Sequence, residues 1–303
     1  RDKSKREGVD EDYTWLCLVA YVFYIPLYIA GPVMTFPAWL GFARERQRCV
    51  SVLQIAAMLA WVALYILAIE VLLHVYMYVS INNNRSWDLI RGETMPGWEV
   101  AWGGFVTLNF MYLKFLSIWR LFRCWALADG MDPPENMRRC VNNNFSFSGF
   151  WRAWHASLNK WIVRYLYIPL GGKRSQWWSI WLVFSFIGLW HDLEWRWQAW
   201  AWLNCVFFSI ELLIINVCKQ PKFDGLWRHP AAKYLEALAA SLNILTLILA
   251  NLAIMHGFEG SLEFLQHCWR ASPPTTNSIS TNSANGRTDG GGKGGDDVMG
   301  GGG

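Results

Sequence analysis

The segment VSVLQIAAMLAWVALYILAI, residues 50–69, runs for 20 residues without a charged side chain. An α-helix needs about 20 apolar residues to cross the hydrocarbon core of a bilayer, so this segment predicts a membrane-spanning helix. The rest of the 303-residue chain agrees, because 53% of its residues are hydrophobic and 21 are tryptophans, which collect at membrane interfaces. We therefore predict an all-α, polytopic transmembrane helical bundle.

Apolar runs on both sides of this segment predict the remaining helices. The first run is interrupted by Pro26, Pro32 and Pro37, which indicates a kinked or re-entrant segment rather than a straight span. The run 145–170 is amphipathic and too polar to face lipid on all sides. The predicted helices cover residues 15–39, 50–81, 98–118, 145–170, 177–189, 199–217 and 234–255.

Composition divides the chain into three parts. Residues 1–12 form a charged N-terminal flank, and residues 13–270 form the predicted transmembrane domain. Residues 271–303 are rich in Gly, Ser, Thr and Asn and bury too little apolar surface to fold, so we predict a disordered low-complexity tail. Because the chain begins at Arg1 in a charged block, we expect the bundle to lack helices that precede it in a longer protein.

Three classes of function find no support in the composition or in short motifs. The net charge of +4 comes from scattered basic residues, which argues against a nucleic-acid partner. The seven cysteines contain no C-x-x-C pair and no metal-ligand spacing, so no metal site is predicted. The sequence also has no G-x-S-x-G motif of a nucleophilic serine.

Two histidines flank a predicted helical hairpin. His155 lies 15 residues before Leu170 and His191 lies 19 residues after Gly172, with the turn sequence PLGG between the arms. At 1.5 Å per residue both arms run about 22–29 Å, so the two imidazoles can meet at one end of the hairpin. A neutral imidazole can take a proton from a hydroxyl near neutral pH. The alternative is that His191 only hydrogen-bonds a neighbouring helix, as polar residues inside membranes often do.

Several blocks of the sequence resemble the membrane-bound O-acyltransferase (MBOAT) family. FWRAWHASLNKWIVRYLYIPLGG (150–172) is followed by an apolar run that ends in LWHDL (189–193). YIAGPVMTF (28–36) and RCWALADGMDPPENMRRCVNNN (123–144) are similar to its glycerol uptake protein branch. That branch is related to Hedgehog acyltransferase and remodels glycosylphosphatidylinositol (GPI) anchors. The resemblance covers residues 12–258, with the blocks in the right order.

The resemblance implies an acyltransferase with two histidines at its centre. His191 takes the place of the family's invariant catalytic histidine, and His155 takes a second position that holds Asn, Asp or His within the family. The resemblance also implies acyl-CoA as the donor, with no resident cofactor or metal. It implies a lipid acceptor, lyso-phosphatidylinositol of GPI anchors, and a multi-pass protein of the endoplasmic reticulum membrane.

Six residues near the histidines are candidate substrate-binding residues. Two carboxylates that follow His191 can orient it or bind acceptor hydroxyls, although an interfacial position explains them as well. Three cations at i, i+8 and i+12 on one predicted helical stretch can meet CoA or lipid phosphates, and snorkelling to headgroups explains them equally well. The six candidates are Trp190, Asp192, Glu194, Arg152, Lys160 and Arg164.

Two other functions stay open at this point. A protein fatty acyltransferase of the Hedgehog acyltransferase type would share both the fold and the catalytic base. A glycerol transporter belongs to a different class and is suggested by the name of the branch. Transporters are often built from inverted repeats, and no internal repeat is visible in this sequence.

Overall fold

The computed structural model describes residues 13–45, 50–77 and 96–269, with the backbone alone at 254–259. Every regular element within these ranges is helical, so the predicted all-α class is confirmed. The predicted flank 1–12 and the predicted tail 271–303 lie outside the described residues. The α-helices, numbered along the chain, are α1 (Trp15–Val22), α2 (Ile25–Tyr28), α3 (Phe36–Arg44), α4 (Val52–His74), α5 (Gly97–Ala128), α6 (Phe147–Ala153), α7 (Ala156–Ile162), α8 (Gln176–His191), α9 (Trp195–Cys218), α10 (Asp224–Arg228) and α11 (Ala232–Trp269).

Three of the described helices are long and apolar enough to cross a membrane, namely α4, α9 and the part of α11 at Ala232–Ala253. α4 begins with a capping box, in which Ser51 Oγ accepts from the Gln54 backbone N–H and Gln54 Oε1 accepts from the Ser51 N–H. Val62 is the one buried residue of α4, which packs along α5. Most of the apolar surface of α4 is therefore available to lipid.

Prolines and a glycine divide the first apolar segment into α1, α2 and α3, as the sequence predicts. A Cβ at Gly31 would collide with the Pro26 carbonyl oxygen, so the chain turns there because residue 31 has no side chain. Tyr21 Oη donates to the Met34 carbonyl oxygen at 2.6 Å across the turn. α3 then buries Trp39 against the last turn of α5.

Several predicted helix boundaries are wrong. α5 runs on to Ala128, well beyond residue 118, and α11 runs to Trp269 rather than to 255. α4 ends at His74 rather than at 81, and residues 78–81 lie outside the described part of the chain. Helices extend past the apolar runs because packing of one face supports backbone hydrogen bonds through mixed sequence.

The largest difference lies at 145–170, where the prediction of one continuous amphipathic helix is wrong. The stretch divides into α6, α7 and a π-helical turn at Val163–Tyr167, with a break at Trp154 and His155. Neither Pro nor Gly marks this break in the sequence. Two short helices leave more terminal N–H groups unpaired than one long helix, and these groups need partners in an apolar surrounding.

A buried carboxylate on α9 pairs with the start of α6. Glu211, 6% exposed, accepts from the backbone N–H of Phe147 at 2.6 Å and from that of Ser148 at 3.1 Å. The side-chain amide of Asn243 on α11 donates to the same carboxylate at 3.3 Å. A negative charge at a helix N-terminus is also favoured by the helix dipole. Glu211 therefore ties α6 to both α9 and α11.

Replacing Glu211 with Ala should lower the free energy of unfolding by about 2–3 kcal/mol, because two backbone N–H groups lose their charged acceptor. Glu211→Gln keeps one acceptor oxygen and should cost less. Thermal unfolding of the detergent-solubilised protein measures both effects. Glu236→Ala, which removes an exposed carboxylate from α11, is the control. Equal unfolding midpoints for Glu211→Ala and the control would contradict this role.

Candidate active site

His155 occupies the break between α6 and α7 with an unusual backbone. Its φ of 45° and ψ of 48° lie in the left-handed region, which residues other than glycine rarely adopt. This conformation costs about 1–2 kcal/mol and persists where surrounding contacts hold it. Strained residues of this kind cluster at functional sites. The backbone therefore marks His155 independently of its side chain.

The imidazole of His155 lies against aromatic rings. Its centroid is 4.5 Å from the ring centroid of Trp119 and 6.0 Å from that of Trp190, and both contacts are edge-on. His155 Nδ1 is buried and has no hydrogen-bond partner among the described residues. A buried unpaired nitrogen is costly, so a bound molecule that supplies a partner there would be favoured.

The surroundings of His155 keep its side chain neutral. Burial lowers its pKa from 6.5 to about 4, the nearby backbone of His155 itself acts in the opposite direction, and His191 adds a smaller lowering. The block formed by α6 and α7 lies outside the three helices that can span a membrane. At pH 7 one ring nitrogen of His155 is thus a donor and the other an acceptor.

His191 is the last residue of α8, at the corner with α9. Its ring stacks on that of Trp197, with the centroids 4.8 Å apart and the planes at 7°. Trp190 and Trp200 meet the imidazole edge-on, with centroid distances of 4.9 and 5.5 Å. These contacts fix the orientation of the ring, while His191 stays exposed in the isolated chain. A substrate can therefore reach it.

A close approach of α8 and α9 sets the position of His191. A Cβ at Gly188, one turn before His191, would lie 2.8 Å from Gln198 Oε1 and 3.2 Å from the Ala201 Cβ. The two helices come this near because residue 188 has no side chain. The Gly188 carbonyl oxygen accepts from the Asp192 N–H at 3.2 Å. Asp192 itself has an extended backbone, so α8 ends directly after the histidine.

The two histidines meet at one tryptophan, because both imidazoles contact the ring of Trp190. The turn between the two arms is held by Ser175 and Ser179, whose hydroxyls donate to the Leu170 carbonyl oxygen at 2.6 and 3.0 Å. Gly171 adopts a φ of 103° in this turn, a conformation that favours glycine. The hairpin thus brings the imidazoles together at the end of its two arms.

The acidic candidates are engaged with neighbours in the chain. Asp192 Oδ1 accepts from the backbone N–H of Leu193 at 2.7 Å, and Glu194 Oε2 lies 3.4 Å from Arg196 Nη2. Both carboxylates are exposed at the corner that carries His191. Exposed carboxylates at this corner can still accept hydrogen bonds from a polar molecule that approaches His191.

The three cationic candidates do not share one continuous helix, so that part of the prediction is wrong. Arg152 lies on α6, Lys160 on α7 and Arg164 in the π-helical turn, and the break at His155 separates the first from the other two. All three side chains are exposed. Arg152 Nε donates to the Ser148 carbonyl oxygen at 3.0 Å, which holds its stem along α6.

Sequence reasoning missed the residues that hold the two histidines in place. Glu211 did give a signal, since a carboxylate inside an apolar span is rarely without a role. The loop asparagine Asn136, which bonds to the two residues that follow His155, gave none, because a polar residue in a polar loop forms no pattern. The missed residues are Trp119, Asn136, Trp197, Trp200 and Glu211.

Comparison with known proteins identifies one family that the chain matches. The sequence model of the membrane-bound O-acyltransferase family matches residues 1–252. The chain is 37% identical over 254 residues to membrane-bound O-acyltransferase gup1 of Schizosaccharomyces pombe, covering 83% of the chain and 42% of that protein. It is 38% identical over 257 residues to membrane-bound O-acyltransferase GUP1 of Saccharomyces cerevisiae, covering 84% and 44%.

A more distant relative carries a different activity in its name. The chain is 30% identical over 275 residues to protein-cysteine N-palmitoyltransferase HHAT of Mus musculus, covering 84% of the chain and 52% of that protein. The chain thus spans about half the length of the curated relatives it matches.

The lowered pKa of His155 predicts that acid destabilises the folded protein. The folded-state pKa of about 4 lies below the ordinary 6.5, so the unfolded chain binds the proton first as the pH falls. Stability present above pH 6.5 is lost progressively down to about pH 4, by up to about 3 kcal/mol. Thermal unfolding in detergent between pH 7 and pH 4 measures the loss.

The matched variant for this measurement is His155→Asn, since Asn tolerates left-handed backbone and does not titrate. Its unfolding midpoint should fall less than that of the wild type over the same pH range. Parallel curves for the two proteins would show that His155 is not the buried base responsible.

Proposed function

The chain belongs to the membrane-bound O-acyltransferase family, and on this premise we propose that it transfers a long-chain acyl group from acyl-CoA to a lipid hydroxyl. The observation that carries the proposal is the meeting of His155 and His191 at the ring of Trp190. One imidazole is exposed and oriented, and the other is neutral with a buried nitrogen that lacks a partner among the described residues.

In the proposed reaction His191 is the general base. It takes the proton of the acceptor hydroxyl while the hydroxyl oxygen attacks the thioester carbonyl of acyl-CoA. The tetrahedral intermediate then collapses, the C–S bond breaks, and the thiolate of CoA takes up the proton. No covalent acyl-enzyme forms, so no activated serine or cysteine is required. A base placed in this way contributes about 10²–10⁴-fold to the rate.

His155 is proposed to bind the reacting groups rather than to remove a proton. Its low pKa keeps it neutral, so it remains a hydrogen-bond donor through one ring nitrogen and an acceptor through the other. A donor aimed at the developing oxyanion, or a partner for the acceptor hydroxyl, would satisfy the buried Nδ1 at the same time. The aromatic surroundings exclude water and strengthen that interaction.

The proposed acceptor is lyso-phosphatidylinositol of GPI anchors, which is supported by the resemblance to the glycerol uptake protein branch. The exposed cations Arg152, Lys160 and Arg164 are proposed to meet phosphates of CoA or of the lipid. Asp192 and Glu194 are proposed to accept from hydroxyls of the acceptor headgroup, and Trp190 to contact the reacting groups between the two imidazoles. The same resemblance supports a multi-pass location in the endoplasmic reticulum membrane.

A second candidate acceptor is the N-terminus of a protein. The observation that favours it is the similarity to the mouse relative, whose name is protein-cysteine N-palmitoyltransferase. Amine and hydroxyl acceptors need the same base and the same thioester donor. The two candidates therefore differ in the acceptor and not in the machinery.

The test is an acyl-CoA transfer assay on membranes that carry the protein, with lyso-phosphatidylinositol, free glycerol and a peptide with an N-terminal cysteine as alternative acceptors. We expect transfer to the lyso-lipid, and His191→Ala should reduce it by about 10²-fold or more because the general base is lost. His74→Ala, which removes an exposed histidine on α4, is the matched control and should leave the rate unchanged.

Three results would contradict the proposal. Equal transfer by the wild type and His191→Ala would remove His191 as the base. Transfer to the peptide but not to the lyso-lipid would favour the protein acceptor. Saturable glycerol flux into liposomes that survives His191→Ala, without acyl transfer, would favour a transporter.

A further inference from the structure

We propose that Asn136 is a positioning residue, which holds His155 in its left-handed conformation and so sets the place of its imidazole. The inference rests on the proposed function, since it concerns the contribution of His155 to acyl transfer. Asn136 lies on the connection between α5 and α6, 19 residues before His155 in the chain, and is completely buried. It contacts neither of the histidine rings through a hydrogen bond among the described residues.

The backbone around Asn136 pairs with the chain on both sides of His155. The Asn136 carbonyl oxygen accepts from the Ala156 N–H at 2.9 Å, directly after the histidine. The Arg138 N–H donates to the Ala153 carbonyl oxygen at 3.2 Å, two residues before it. Two hydrogen bonds from one short segment therefore bracket the strained residue.

The side chain of Asn136 supplies the cap that His155 does not. His155 is the N-cap residue of α7, yet its side chain makes no capping bond. Asn136 Oδ1 accepts instead from the Ser157 N–H at 3.2 Å and from the Ser157 hydroxyl. Asn136 Nδ2 is buried with no partner among the described residues, so the oxygen is the half of the amide that is used.

A second anchor joins this network to the first part of the chain. Ser157 Oγ, which donates to Asn136, also accepts from the Val33 N–H at 2.8 Å. Ser157 is 2% exposed. The start of α7 is thus fixed to the loop before α3 as well as to the loop before α6, and neither link passes through the imidazole.

The hydrogen bonds made by Asn136 and its neighbours are needed because the local sequence favours another conformation at residue 155. Residues 145–170 carry the pattern of one continuous helix, and the left-handed backbone at His155 costs about 1–2 kcal/mol relative to the helical region. With the α7 cap removed, residue 155 can relax toward the helical region and join α6 to α7. That rotation would carry the imidazole away from Trp190 and from His191.

The test compares Asn136→Ala with Asn144→Ala in the full chain. Asn144 is the matched control, because it is a buried asparagine on the same connection whose amide donates to the Cys140 carbonyl oxygen and makes no bond to residues 153–157. We expect Asn136→Ala to lower kcat by about tenfold or more with KM for acyl-CoA changed less than about twofold, since displacement of a catalytic group by about 1 Å can cost 10²-fold. Asn144→Ala should change neither constant by more than about twofold.

A double substitution separates positioning from simple destabilisation. If Asn136 acts through His155, adding Asn136→Ala to His155→Ala should lower the residual rate by less than about twofold, because no imidazole is left to position. The same factor of loss in both backgrounds would overturn the inference while leaving the proposed function intact. A wild-type rate for His155→Ala would instead show that the proposed role of His155 fails, and this inference with it.

Protein that elutes as a single peak in size-exclusion chromatography is used for every variant. Should Asn136→Ala fail to fold, Ser157→Ala takes its place under the same criterion, since it removes one hydroxyl and leaves both backbone hydrogen bonds. A loss of about threefold or more in kcat, absent in the His155→Ala background, supports the proposal that this hydrogen-bond network positions His155. An unchanged kcat overturns that proposal.

Discussion

A backbone N–H that is buried away from water needs a hydrogen-bond partner from the protein, and this constraint governs the block formed by α6 and α7. The break at His155 turns one potential helix into two, and each new helix start is paired by a side chain from a distant part of the chain. Glu211 on α9 accepts hydrogen bonds from the first N–H groups of α6, and Asn136 on the α5–α6 connection accepts one from the Ser157 N–H of α7. The block that carries the first histidine is thereby anchored at both of its helix starts.

The two imidazoles are held by aromatic rings, which leave their nitrogens available. Trp119, Trp190 and Trp197 contact one or both of them through edges and faces. Such pairs contribute about 0.5–1.5 kcal/mol each beyond the burial of area, and they orient a ring without competing for its hydrogen-bonding groups. Aromatic contacts of this kind orient an imidazole ring and leave its nitrogens available to hydrogen-bond a substrate.

The sequence predicted the spans and the pairing of the arms better than it predicted the site. The length of the apolar runs predicted α4, α9 and α11. The residues around Gly171 correctly predicted a hairpin, because glycine and proline are turn signals that can be read directly from the sequence. No glycine or proline stands at the break at His155. The break depends on hydrogen bonds from Asn136, far away in sequence, which override the helical pattern of 145–170. Long-range capping of this kind is invisible to local patterns.

The main chain at position 155 also limits which side chains can work there. Apart from glycine, the residues most often found in this region of φ and ψ are Asn, Asp and His. The family resemblance implies the same three residues at this position. A β-branched or bulky residue would be rejected by the peptide geometry whatever chemistry its side chain offered. The backbone conformation therefore limits residue 155 to a few residue types before any chemical requirement applies, and the proposed partner of His191 is one of them.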